Sequence, residues 1–133
     1  MLKRDRIVIM LAALCTSLAP TAIRAQSGAA AVEIELSSFK FRPATLQLEH
    51  GRDYVLHFVN TSSGGHDFSA RSFFDAATIA PEDRAKLDKG SVDLEGGEEA
   101  RIHLTAPAPG HYKVRCSHFM HSTMGMTGEI VVS

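Results

Sequence analysis

The chain has no tryptophan, two tyrosines and only two cysteines among its 133 residues. Cys15 lies in an N-terminal apolar run, so Cys116 is the one thiol left for the remainder, and no intramolecular disulfide can brace that part. Long apolar runs are also missing. Ile7 to Ala19 is the longest, enough for the centre of a secretory signal and short for a bilayer span. Basic charge is scarce beyond that segment. Of 14 basic and 15 acidic side chains, Lys3, Arg4, Arg6, Arg24 and Asp5 precede residue 26, leaving ten against fourteen, a net of −4. No basic stripe is available to neutralise phosphates, which argues against nucleic acid as a partner.

The N-terminus reads as a signal peptide over residues 1–25, with Ile23-Arg24-Ala25 as the cleavage site. A lipid-anchor reading at Cys15 is disfavoured, because Leu14 is large where a small residue is usual. Residues 26–31 form a Gly/Ala/Ser leader expected to be flexible, and residues 32–133 form one small domain. Export to the periplasm is expected, with no stable membrane insertion after signal removal and a monomer as the working state.

The period along that domain is two rather than 3.6. Val32 to Leu36 alternates apolar and acidic, and Phe39 to Pro43 continues the alternation up to the proline. Thr45 to Glu49 and Tyr54 to Val59 are further strands around a His50-Gly51 turn, the latter with apolar residues on both faces. Asn60 to Gly65 is a polar loop that delivers His66 to the start of another strand. Arg71 to Lys89 breaks the pattern. Phe73 to Ala77 and Pro81 to Leu87 suit short helical turns, the second opened by Pro81 and stopped by Gly90. Ser91 to Leu94, Ala100 to Thr105, Tyr112 to Cys116 and Glu129 to Val132 resume the strands. About eight strands with a short helical insert predict an all-β, two-sheet sandwich.

One stretch carries chemistry. Cys116-Ser-His118-Phe-Met120-His121-Ser-Thr-Met124-Gly-Met126 packs one thiol, two imidazoles and three thioethers into eleven residues. Thiolate and thioether select soft ions, imidazole suits copper, and two His, one Cys and a weak axial Met make a blue-copper electron-transfer site. Alternation puts Cys116 on the core-facing side with Tyr112 and Val114, at a strand end where a half-buried thiolate needs a positive partner. A buried thiol acting as a small hydrophobe is the plainer alternative; the neighbouring His and Met favour a metal. His66 is the best second imidazole, with Phe68 and Phe73 close in sequence to shield it. His121 is preferred to His118, which lies only two residues from Cys116. Met126 is preferred to Met120 and Met124 because it opens the last strand; those two and Phe119 read as loop packing or an apolar rim. His103 should face water, His50 and His111 sit beside turn glycines, and His57 reads as a half-buried strand residue.

Asn60-x5-His66, Gly110-x-Tyr112-x5-His118 enclosing Cys116, and His121-x4-Met126-x-Gly128-x-Ile130-x-Val132 together resemble the cupredoxins, the plastocyanin/azurin-like blue-copper proteins. The resemblance covers residues 32–132. It implies a Greek-key β-sandwich with one copper ion, held by His66, Cys116, His121 and Met126, that shuttles one electron between transiently docked redox partners and is not an enzyme. Two departures stand out. Cys-x4-His is azurin-like while His-x4-Met is plastocyanin-like. Asp67 follows the first His where the family commonly has Asn, and an ionised Asp only accepts hydrogen bonds. Asp67 would add negative charge near the site or cap the preceding Ser/Thr loop. The surplus His and Met residues keep a second class of function open, copper buffering or delivery outside the cytoplasm. A copper enzyme would need further His clusters, and zinc would leave the methionines idle.

Overall fold

The computed structural model describes residues 28–121 and 123–133; the signal-peptide expectation lies outside them. The alternating segments form ten strands: β1 Ala30–Ser37, β2 Lys40–Arg42, β3 Thr45–Leu48, β4 Asp53–Asn60, β5 His66–Ser69, β6 Thr78–Ile79, β7 Ser91–Leu94, β8 Glu99–Thr105, β9 Gly110–Arg115 and β10 Thr127–Val132. One sheet has the order β2-β1-β4-β8-β6, the other β3-β10-β9-β5-β7. Successive stretches of chain pass repeatedly from one sheet to the other, as expected for a Greek-key sandwich. The β1–β4 and β3–β10 pairs are parallel and the rest antiparallel. β1 begins at Ala30, so the last two residues of the Gly/Ala/Ser leader pair with β4.

Period-two patterning explains the core. Ile34 and Leu36 on β1, Leu56 and Phe58 on β4, Ile102 on β8 and Ile130 on β10 all point between the sheets and are completely or almost completely buried. Each such side chain contributes roughly 1.5–3 kcal/mol relative to exposure. Aromatic rings run through this layer: Phe68 meets Phe41, Phe58 and Phe74 at centroid distances of 5.3, 4.9 and 6.3 Å, and Phe73 bridges Phe74 and Tyr112. On the outer face of β4, Val55, His57 and Val59 are only half covered.

Three details differ from the sequence expectation. The alternation from Val32 to Pro43 is not one extended run; a turn at Ser38-Phe39 folds β2 back on β1, with Phe39 at φ 60°. Apolar alternation on both arms of a hairpin gives no warning of so short a turn. The helical insert is realised as α1 Arg71–Ala76 and α2 Pro81–Arg84, the second shorter than the stretch to Leu87 suggests. Between them the two-residue β6 pairs with β8 and closes the sheet edge. No helix among the described residues is long and apolar enough to cross a membrane.

Candidate metal centre

One end of the sandwich gathers the residues singled out in the sequence. His66 opens β5, Cys116 follows β9 directly, and Met126 directly precedes β10. The β5–β9 and β9–β10 pairings therefore bring three separate segments side by side. His66 is 4 % exposed and Cys116 and Met126 are fully buried.

The loop after Cys116 curls back in consecutive turns. His121 N–H donates to His118 O, Met124 N–H to Met120 O, and Met126 N–H to His121 O at 2.9 Å. Cys116 N–H closes the loop on Met126 O at 3.1 Å. Met126 is thus bonded through the backbone to both Cys116 and His121. Met120, at φ 63°, takes the left-handed conformation that tightens this coil.

Three donor atoms converge. His66 Nδ1 and His121 Nδ1 are 3.2 Å apart, and Cys116 Sγ is 3.4 Å from His121 Nδ1 and 4.0 Å from His66 Nδ1. A trigonal ion with bonds of about 2.0 Å to nitrogen and about 2.3 Å to sulfur would set donor separations of roughly 3.5–3.7 Å. The triangle therefore fits one metal ion with shifts of a few tenths of an ångström. His118 is not in it. Its ring stacks on His121 at 5.5 Å, and its ligand-type atoms gather instead with carboxylate oxygens of Asp67 and Asp93. Of the two imidazoles in the loop, His121 is the one brought to Cys116 and His66.

The electrostatics suit a metal. Burial, then the neighbouring His121 and His118, hold the His66 pKa below its ordinary value against the pull of Asp67. The neutral ring keeps a lone pair for a cation. Burial, opposed by backbone N–H groups and reinforced by Asp67, pushes the Cys116 thiol up. It stays protonated until a cation displaces the proton. No other cysteine competes among the described residues.

Asp67 is the hub of the surroundings. It is fully buried and accepts from Ser91 Oγ at 2.7 Å, Ser117 N–H at 2.6 Å, Ser117 Oγ at 2.9 Å and the Cys116 thiol at 3.2 Å. Burial alone would raise its pKa, but the hydrogen bonds from Ser91, Cys116 and Ser117 win and lower it. Asp67 therefore ties β5 to β7 and to the loop after β9. Capping of the 60–65 loop falls to Asn60 instead. Its Oδ1 accepts from Ser62 N–H and Oγ, and its Nδ2 donates among the carbonyls of Gly64, Leu94 and Glu95.

The ring that packs on the donor triangle is Phe39, edge-on to His121 at 5.1 Å. Phe68 and Phe73, expected to shield His66, belong to the aromatic core. Sequence reasoning missed Phe39 because it belongs to a hairpin turn some eighty residues from His121. Phe119, Met120 and Met124 are exposed, at 88, 52 and 58 %. The remaining imidazoles are accounted for elsewhere: His57 between Glu33 and Glu99, His50 on Pro107 O, His103 on Asp83 and His111 on Glu129.

Solved structures share this architecture. Reduced auracyanin from Roseiflexus castenholzii is 21 % identical, with a TM-score of 0.59 over 80 % of this chain and 99 % of that one. Auracyanin A, a blue copper protein from Chloroflexus aurantiacus, is 22 % identical, with a TM-score of 0.53 over 77 and 99 %. The McoA multicopper oxidase of Aquifex aeolicus matches with a TM-score of 0.61 and 17 % identity, through 80 % of this chain but only 30 % of its own. No curated protein matches the sequence. The cupredoxin-like domain model matches residues 7–132, and on that match the chain belongs to the cupredoxin-like family.

Proposed function

We propose that this protein is a small exported copper protein that carries single electrons between redox partners. The observation that carries the reading is the convergence of His66 Nδ1, His121 Nδ1 and Cys116 Sγ, with Phe39 edge-on to His121 and a fully buried Met126 whose backbone bonds to Cys116 and His121. His66, Cys116 and His121 would hold one copper ion, with Met126 as the weak axial ligand. When bound, copper would supply a one-electron couple between Cu(I) and Cu(II).

The chain's own residues account for the rest. Three strands fix the positions of His66, Cys116 and Met126, so the ligands need not move when the charge changes. Burial of His66, Cys116 and Met126 excludes water. His121, partly exposed on the same loop as the exposed Phe119, Met120 and Met124, offers the route to a docked partner, and small transient contacts suit such exchange. A catalytic role is not part of this reading: the donor triangle accounts for the His and Cys of a single mononuclear centre. Export to the periplasm follows from the signal-like N-terminus, and the working unit is a monomer.

The test is an optical titration of the purified chain with Cu(II). An intense visible thiolate-to-copper band that saturates at one equivalent, bleaches on reduction and returns on oxidation is expected; its absence with Cys116 reduced would overturn the reading. A second reading, periplasmic copper buffering or delivery, draws on the exposed His118, Met120 and Met124. It predicts instead a Cu(I) form that passes readily to a competing chelator.

A further inference from the structure

Charge on this protein is segregated. Of the ten basic side chains beyond residue 25, Arg71, Lys89, Lys113 and Arg115 line one open groove of about 750 Å³. Of the fourteen acidic side chains, Asp75 alone lines it, 3.6 Å from the Arg71 guanidinium. With Asp67 and Asp83 buried, the remaining surface holds six basic against eleven acidic groups.

The fold assembles this groove from distant segments. Ser69 pairs with Arg115, which sets Arg71 at the start of α1 beside β9. Lys113 and Arg115 point outward from the same face of β9. Lys89 takes φ 50° and Gly90 φ 81°, and Gly90 passes so close to Arg71 that a Cβ there would lie 2.7 Å from Arg71 Cα. Ala70 N–H bonds to Gly90 O and locks the approach. Gathering four cations in this way costs Coulomb energy, since like charges side by side repel. Glu129 stands opposite Lys113 on β10, but its carboxylate is engaged by His111 Nδ1 at 2.9 Å.

We infer that this basic groove docks a protein partner through a carboxylate-rich face. The cations are spread along an open surface and all are exposed, which matches several separated carboxylates better than one compact oxyanion. The floor of the groove is the stretch of β9 and β10 that leads to Cys116 and away from Met126, so the partner sits beside the metal centre. Calling that partner a redox partner rests on the electron-transfer reading; the docking itself does not.

The experiment uses hexaglutamate as probe, titrated into the isotope-labelled chain at low salt, once with reduced copper and once without metal. Expected are amide shifts confined to Arg71, Lys89, Lys113, Arg115 and their neighbours. The dissociation constant should rise at least tenfold in Lys113→Glu/Arg115→Glu and change less than twofold in Lys40→Glu/Arg101→Glu, which alters the same charge on the other sheet. Lys89→Glu, in a loop, serves if the strand pair fails to fold. Shifts scattered over all cations, or equal losses in both double variants, would overturn the proposal. So would tighter one-to-one binding of inorganic phosphate, pointing to a small oxyanion site, or groove-dependent sedimentation with anionic phospholipid vesicles, pointing to a membrane. Because the metal-free titration stands alone, a missing copper band and a missing groove are separate results.

Discussion

The Cys116 thiol donates to Asp67 Oδ1 across 3.2 Å, so a full negative charge is built in next to the sulfur that would bind copper. Both groups are fully buried. Once the thiol proton is displaced, the carboxylate faces a thiolate, and the added negative charge favours the more positive ion. Asp67→Asn should therefore raise the reduction potential. Removing one partly screened charge is worth about 1–2 kcal/mol, on the order of 50–100 mV for a one-electron couple. Potentiometry with the visible band as readout checks the sign. An unchanged or lower potential would show that Asp67 acts only through its bonds to Ser91 and Ser117.

Met126 is where the axial assignment can be tested. Its side chain is fully buried and its backbone is bonded to Cys116 and His121. Met126→Gln should keep copper and lower the potential, because an oxygen donor stabilises Cu(II) more than a thioether does. It should also cost about 1–3 kcal/mol of folding stability by burying an amide without a full set of partners. A stability loss without a change in potential would exclude Met126 as a ligand.

Gly128 shows why the terminal strand carries glycine two residues after Met126. A Cβ at Gly128 would lie 2.6 Å from Ala44 O, a backbone atom that cannot swing away. Ala44 O also accepts the Glu129 N–H, so retreat would break the entry to the β3–β10 pairing. Gly128→Ala should destabilise the protein by about 1–3 kcal/mol, measured by urea melts, through overpacking rather than through metal chemistry. The metal-free protein should show the same loss.

Much of this architecture is legible in the chain because strand alternation is a local signal. Val32 to Leu36 and Ala100 to Thr105 announce their buried face without help from the rest of the molecule, whereas Tyr54 to Val59, apolar on both faces, announces a strand but not which face is covered. Cys116, His121 and Met126 are legible for a related reason, since donors within eleven residues share one loop. What escapes is set by contacts between segments remote in sequence. Ser91 and Ser117 reach Asp67 across 24 and 50 residues, and neither is distinguishable in sequence from any other serine. Phe39 looks like one more strand residue until its turn carries it to His121. The groove cations are individually ordinary and become a feature only when Ser69 meets Arg115 and Gly90 meets Arg71.

Asn60 anchors the loop that delivers His66. It is 1 % exposed, accepts twice from Ser62 and donates among three carbonyls from two segments. Asn60→Ala strands those carbonyls and should cost about 2–3 kcal/mol, since each buried unsatisfied group costs about 1–3 kcal/mol. Hydrogen exchange should rise over residues 61–66, and copper affinity should fall with it. If stability falls while exchange in that loop is unchanged, Asn60 supports only the core and not the presentation of His66.

Asp83 gives the protein an acid-sensitive clamp far from the metal centre. Its side chain is 5 % exposed, yet it accepts from His103 N–H at 2.8 Å, from the His103 ring at 2.7 Å and from Lys86 Nζ, tying α2 to β8. Burial works against the carboxylate, but the bonds from Lys86 and His103 and the Lys86 charge outweigh it and bring the pKa down to about 2. A carboxylate whose folded pKa lies below its unfolded value stabilises the fold above the unfolded pKa, and that contribution drains away as pH falls through the folded one. The window runs from about pH 4 down to about pH 2. Because Lys86 and His103 are largely exposed, the contribution is about 1–2 kcal/mol rather than the full value of the shift. Asp83→Asn should lose that amount at pH 7 in urea melts, and the gap between variant and parent should close by pH 2. A gap that persists at pH 2 would mean the loss comes from packing of α2 on β8 and not from the charge.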